Sequence, residues 1–129
     1  MVAIREVMST ALVVVSPHAS VAEAATVMGT NQVGAALVMD EERLTGIFTE
    51  RDILQALASD FDAARHRVLQ WMTRDPLTLG PDADTDVALD LMLERGFRHL
   101  PVVDDGRVIG VVSIRDLTLR HPTTGNAED

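Results

Sequence analysis

Gly46-Ile47-Phe48-Thr49-Glu50-Arg51-Asp52-Ile53 has a second version in the same chain, Gly110-Val111-Val112-Ser113-Ile114-Arg115-Asp116-Leu117, 64 residues downstream. Residues 7–54 slide onto 71–118 without a gap, and 11 of those 48 positions are identical. They are Met8/Met72, Pro17/Pro81, Ala19/Ala83, Ala24/Ala88, Met28/Met92, Val38/Val102, Asp40/Asp104, Arg43/Arg107, Gly46/Gly110, Arg51/Arg115 and Asp52/Asp116. Many of the rest exchange like for like, as Thr49 with Ser113 and Ile53 with Leu117. A fixed internal period fixes the architecture before any single residue does. Two copies of one unit are expected to pack as one body with approximate twofold symmetry.

Each copy spells out the same order of elements. A short β-rich run (Leu12–Val15, then Leu77–Leu79) ends at a proline, Pro17 or Pro81, which cannot continue a strand. Ser20 and Asp84 stand as helix N-caps, followed by Val21, Ala24, Ala25 and Met28 or by Ala88, Leu89 and Met92 at helical spacing. Two apolar runs then flank a turn: Asp40-Glu41-Glu42-Arg43 in the first copy, Asp104-Asp105-Gly106-Arg107 in the second. Asp-Gly between apolar runs signals a tight hairpin whose turn positions take positive φ. A second helix starts at Thr49 or Ser113. The unit is β-α-β-β-α, twice, a mixed α/β (α+β) class. Ala63–Gln70 reads as a helix joining the copies, and Pro122–Asp129 as a frayed tail.

The 129 residues make one compact domain's worth of chain, and halves this small are expected to share a core. There is no cysteine, so neither disulfides nor thiolate metal sites arise. His18, His66, His99 and His121 show no ligand spacing, and no metal is expected. A net charge of −9 opposes a nucleic-acid partner, which needs a basic face. The apolar Ala11–Val15 run is shorter than the roughly 7–15 residues of a secretion signal's core. It also has a counterpart inside the chain at Asp75–Leu79, which assigns it to the fold. Nothing approaches the ~20 apolar residues of a membrane span, so a cytoplasmic protein without a membrane partner is expected.

The repeated phrase Gly-x-x-Thr/Ser-x-Arg-Asp sits where a strand hands over to a helix. Free N–H groups and the helix dipole attract an anion there. The hydroxyl of Thr49 or Ser113 can donate to a phosphate or sugar oxygen, and Arg51 or Arg115 offers a planar fork of donors. Asp52 or Asp116 can accept from two vicinal hydroxyls of a ribose. Gly46 and Gly110 are expected to let a ligand lie close against the strand. The competing reading is a capping box, in which hydroxyl and carboxylate satisfy the helix's own N–H groups.

Taken with Val7-Met8-Ser9-Thr10 and Trp71-Met72-Thr73-Arg74 at the openings and His99-Leu100-Pro101-Val102-Val103-Asp104 in the middle, the chain resembles a tandem pair of cystathionine-β-synthase (CBS) domains over residues 3–120. On that resemblance the copies are repeat 1 (3–58) and repeat 2 (71–120), with a connecting segment (59–70) and a flexible tail (121–129). The resemblance implies a disc-like module with pseudo-twofold symmetry and two clefts between the repeats. Such clefts hold adenosine-containing ligands: AMP, ADP, ATP, S-adenosylmethionine or NAD(H). Carried over by position, Asp52 and Asp116 would hold ribose hydroxyls, Thr49 and Ser113 would touch ribose or phosphate, and Arg51 and Arg115 would neutralise phosphate. Arg98 and His99 resemble a basic pair facing phosphates, and Thr10 and Thr73 would line the adenine.

The copies are unequal. Gly34-Ala35 replaces Arg98-His99, and Glu50 stands where the second copy has Ile114, so a phosphate is expected to favour the site of Ser113 and Asp116. The expected role is a regulatory, energy-sensing module that signals through a homodimer or an effector protein. The alternative is a structural, partner-binding pair with vestigial sites. No nucleophile or supported acid–base pair stands out, and an enzyme is not expected.

Overall fold

The computed structural model describes residues 1–120, so the tail from His121 to Asp129 lies outside the described residues. The strands are β1 (Val14–Val15), β2 (Ala35–Asp40), β3 (Arg43–Thr49), β4 (Thr73–Arg74), β5 (His99–Asp104) and β6 (Arg107–Ser113). The helices are α1 (Val21–Thr30), α2 (Glu50–Ser59), α3 (Val68–Trp71), α4 (Thr85–Arg95) and α5 (Ile114–Arg120), with 3-10 turns at Ile4–Glu6 and Ala63–Arg65. No helix among them is long and apolar enough to cross a membrane.

The local signals act as the sequence implies. Ser20 caps α1: its hydroxyl accepts from Glu23 N–H at 3.0 Å, and Glu23 returns a carboxylate to Ser20 N–H at 2.8 Å. Asp84 caps α4 by accepting from Asp86 N–H at 2.9 Å. The β5–β6 turn has Asp105 at φ 51° and Gly106 at φ 76°, the two positive values a two-residue hairpin favours. The β2–β3 turn has no glycine, and there Glu41 adopts φ 57°.

The chain divides into two compact units whose limits cross the sequence repeat. One is Leu12–Pro76. The other joins Met1–Ala11 to the chain from Leu77. In each, a copy's hairpin and helices are completed by the segment that precedes the other copy. Val68 N–H donates to Ala19 C=O and Leu69 N–H to Pro17 C=O, at 2.9 and 3.0 Å. Ile4 and Arg5 repeat this on Ala83 and Pro81, both at 2.9 Å. Val21 N–H bonds to His66 C=O at 3.0 Å, and Thr85 N–H to Val2 C=O at 2.9 Å.

The expectation of one shared core is therefore corrected, because the exchanged segments give each unit its own. In the first, Val15, Val21, Ala24, Met28, Ala36, Val38, Phe48 and Ala56 close around Val68. In the second, Ala88, Met92, Leu100, Val102, Val112 and Leu117 close around Ile4 and Val7. Apolar area removed from water drives both.

The first unit carries a four-stranded sheet in the order β1-β2-β3-β4, with β1 parallel to β2 and the other pairs antiparallel. The second keeps the β5–β6 hairpin, and its flanking partners shrink to single bridges, Leu79 with Val102 and Ser9 with Val111. So the strand expected at Leu77–Leu79 reduces to one bridge residue. The helix expected over Ala63–Gln70 is also broken. His66 (ψ 146°) and Arg67 (ψ 145°) are extended because Arg67 bridges to Ser20 and His66 C=O is taken by α1.

Candidate functional site

In the Leu12–Pro76 unit, β3 delivers Thr49 to the start of α2. Thr49 N–H and Oγ1–H both donate to Asp52 Oδ2, at 2.9 and 3.1 Å, and Asp52 N–H donates to Thr49 Oγ1 at 3.4 Å. In the other unit, Ser113 N–H donates to Asp116 Oδ2 at 2.9 Å and Asp116 N–H to Ser113 Oγ at 3.0 Å. The capping box is therefore real in both copies, and the repeated phrase serves the helix first. It does not use up the carboxylates: the cap engages Oδ2 in each, and Oδ1 lies outside it.

The two aspartates differ in surroundings. Asp52 is 8% exposed, and burial pushes its carboxyl above the ordinary range despite the opposing bonds from Thr49 and the nearby charge of Arg51. Asp116 is only half-buried. Arg51 and Arg115 are exposed beside their aspartates.

Residues far apart in sequence meet at each phrase. Glu50 N–H donates to Gly34 C=O at 3.1 Å, and Ile114 N–H to Arg98 C=O at 2.8 Å. Ala35 sits opposite Thr49 in register, and His99 opposite Ser113. The basic pair is thus placed beside Ser113, with Arg98 exposed and His99 half-buried. Thr73 lies on β4 opposite Ile47, two residues from Thr49 along β3. Thr10 follows Ser9, which exchanges backbone bonds of 2.9 and 3.0 Å with Val111. The expected site residues thus divide between the units: Thr49, Arg51, Asp52 and Thr73 in one, and Thr10, Arg98, His99, Ser113, Arg115 and Asp116 in the other.

One residue was missed. The 64-residue offset carries Thr73 onto Ser9, which takes the same place against Val111 that Thr73 takes against Ile47. The repeat itself held that signal.

The role expected of the two glycines is corrected. A Cβ at Gly46 would lie 2.6 Å from Met72 Sδ and 2.8 Å from Thr73 C=O. One at Gly110 would lie 2.6 Å from Met8 Sδ and 2.9 Å from Ser9 C=O. The close approach they permit is that of the exchanged chain segment, and this space is filled by protein.

The profile of the CBS domain matches residues 4–59 and 67–120, and the chain belongs to this family, with two copies of the domain. An uncharacterized 17.7 kDa protein of Acidianus ambivalens is 40% identical over 117 residues, covering 88% of this chain and 70% of that protein. Among solved structures, the CBS domain protein PAE2072 from Pyrobaculum aerophilum, complexed with AMP, superposes with a TM-score of 0.81 at 29% identity, covering 89% of each chain. The CBS domain pair of protein MJ0100, in complex with 5′-methylthioadenosine and S-adenosyl-L-methionine, gives 0.85 at 26% identity, covering 92% of this chain and 98% of that one.

Proposed function

We propose that this CBS pair is a regulatory module that binds adenosine-containing ligands, with the AMP, ADP and ATP class foremost, at the two repeated phrases. One observation carries the reading: in both units the cap engages the aspartate through Oδ2 at a strand–helix junction, and Oδ1, which the cap does not engage, would accept from a ribose hydroxyl. Thr49 and Ser113 would meet ribose or phosphate, Arg51 and Arg115 the phosphate, and Thr10 and Thr73, with Ser9, the base. Arg98 and His99 would add a basic pair in the second unit. The AMP complex of a relative 29% identical supports the ligand class. The repeats 3–58 and 71–120 then act as sequence units whose lead segments cross over. A module that reads nucleotide levels in this way would work in the cytoplasm, without catalysis of its own.

Calorimetric titration of dialysed protein with AMP tests this reading directly. Saturable binding that Asp116→Ala abolishes agrees with it; absence of heat with AMP, ADP, ATP and S-adenosylmethionine alike refutes it.

A second reading has its own observation. Leu54 on α2 in one unit, and Leu93 on α4 and Leu119 on α5 in the other, are 68%, 65% and 66% exposed, large apolar side chains left on helix exteriors. They favour assembly, as a homodimer or with an effector protein, and suit a module that passes its state to another surface.

A further inference from the structure

The two phrases share a backbone but not a charge, and the fold concentrates the difference at one spot. Positions 34 and 50 are joined by the 3.1 Å bond from Glu50 N–H to Gly34 C=O, as 98 and 114 are by the 2.8 Å bond from Ile114 N–H to Arg98 C=O. Two of the charge differences between the copies therefore sit side by side. One unit has Glu50 next to Gly34, and the other has Arg98 next to Ile114. Glu50, Arg51, Arg98 and Arg115 are all exposed. At the first phrase the chain carries two carboxylates (Glu50, Asp52) and one guanidinium (Arg51). At the second it carries two guanidiniums (Arg98, Arg115) and one carboxylate (Asp116).

We propose that the two sites divide adenosine ligands by the charge of the 5′ substituent. Glu50 turns phosphate away from the first site, which takes an uncharged or cationic nucleoside, and Arg98 directs phosphorylated nucleosides to the second. The proposal rests on the nucleotide-binding reading and adds the ligand class of each site. A phosphate meets repulsion at Glu50 that an uncharged nucleoside does not, whereas ribose recognition through Asp52 or Asp116 is common to both. Such a module compares two adenosine pools, since each effector fills a different unit.

Isothermal titration of the full chain with AMP and with uncharged 5′-methylthioadenosine, for wild type and Glu50→Gln, tests the assignment. The expected result is one AMP per wild-type chain and a second AMP in Glu50→Gln, with binding of the uncharged ligand unchanged. The Asp116→Ala chain, which by itself loses AMP binding, should regain it when combined with Glu50→Gln, because a full negative charge is removed from the first site. That gain should shrink at high salt. Arg98→Ala should weaken AMP and spare 5′-methylthioadenosine. Equal AMP occupancy of both wild-type sites, or a Glu50→Gln effect identical for the two ligands, overturns the charge assignment and leaves nucleotide binding standing. No binding of either ligand to any of these chains overturns both.

Discussion

The sulfur of Met72 occupies the space in front of Gly46: a Cβ at position 46 would lie 2.6 Å from it, inside van der Waals contact. Met8 stands in the same relation to Gly110, also at 2.6 Å. Each glycine belongs to one copy and each methionine to the lead segment of the other, so the crossing of the chain accounts for the glycine in both versions of the phrase. The same crossing places Thr73 beside the first phrase and Ser9-Thr10 beside the second.

Alanine at either glycine should therefore destabilise the fold, by about 1–3 kcal/mol for an overpacked site. Relief by Met72→Ala should be partial in the Gly46→Ala background, because Thr73 C=O stays 2.8 Å from the new methyl group. Urea unfolding of the three variants measures this. Unchanged stability of Gly46→Ala would show that the segment is free to withdraw.

Thr85 is fully buried at the start of α4, and its Oγ1 has no hydrogen-bond partner among the described residues. The offset places it on Val21, which is equally buried. An unsatisfied buried hydroxyl costs about 1–3 kcal/mol, so Thr85→Val should raise the stability of the protein by roughly 1 kcal/mol. A lower midpoint in urea than wild type would contradict the geometry.

Asp52 makes stability depend on pH with a definite sign. Its carboxyl is raised in the folded state by burial, so the folded chain holds that proton more tightly than the unfolded one. This group's contribution is complete below the unfolded value and is lost as pH rises through the folded one. Asp52→Asn, which keeps an acceptor for Thr49 N–H, should therefore gain stability relative to wild type between about pH 3 and pH 7. Thermal melts of both proteins across that range read the difference, and a gap that narrows toward neutral pH would refute it.

Much of this was legible in local sequence. Ser20 and Asp84 cap helices with groups three or fewer residues away, and Asp105-Gly106 turns a chain whose strands adjoin it. Such features depend on contiguous residues and backbone preference, and they appeared where the sequence placed them. The hydroxyl–carboxylate pairs Thr49/Asp52 and Ser113/Asp116 were legible too, although sequence left open whether they served a helix or a ligand.

What escaped was long-range. Met8 and Gly110 are distant in sequence, and only the crossing of the lead segments shows why the second position must be glycine. The helix read over Ala63–Gln70 failed for a similar reason. His66 bonds through its ring to Trp71 Nε1 at 3.2 Å and to Asp60 C=O at 2.7 Å, and through its carbonyl to Val21, and these partners hold it extended. Tertiary partners outweighed helical propensity there.

The most direct test of the central claim is thermal unfolding of dialysed protein with AMP, ADP, ATP, S-adenosylmethionine and NADH, in wild type, Asp52→Ala and Asp116→Ala. Each aspartate also caps a helix, so every shift is taken from that variant's own ligand-free midpoint. A ligand at about a hundred times its dissociation constant adds roughly 2.7 kcal/mol, a rise of several degrees. An AMP-induced rise that survives in Asp52→Ala and disappears in Asp116→Ala is the predicted result. No rise with any of the five ligands would contradict a nucleotide-sensing role and leave assembly through the exposed helix faces as the function of the pair.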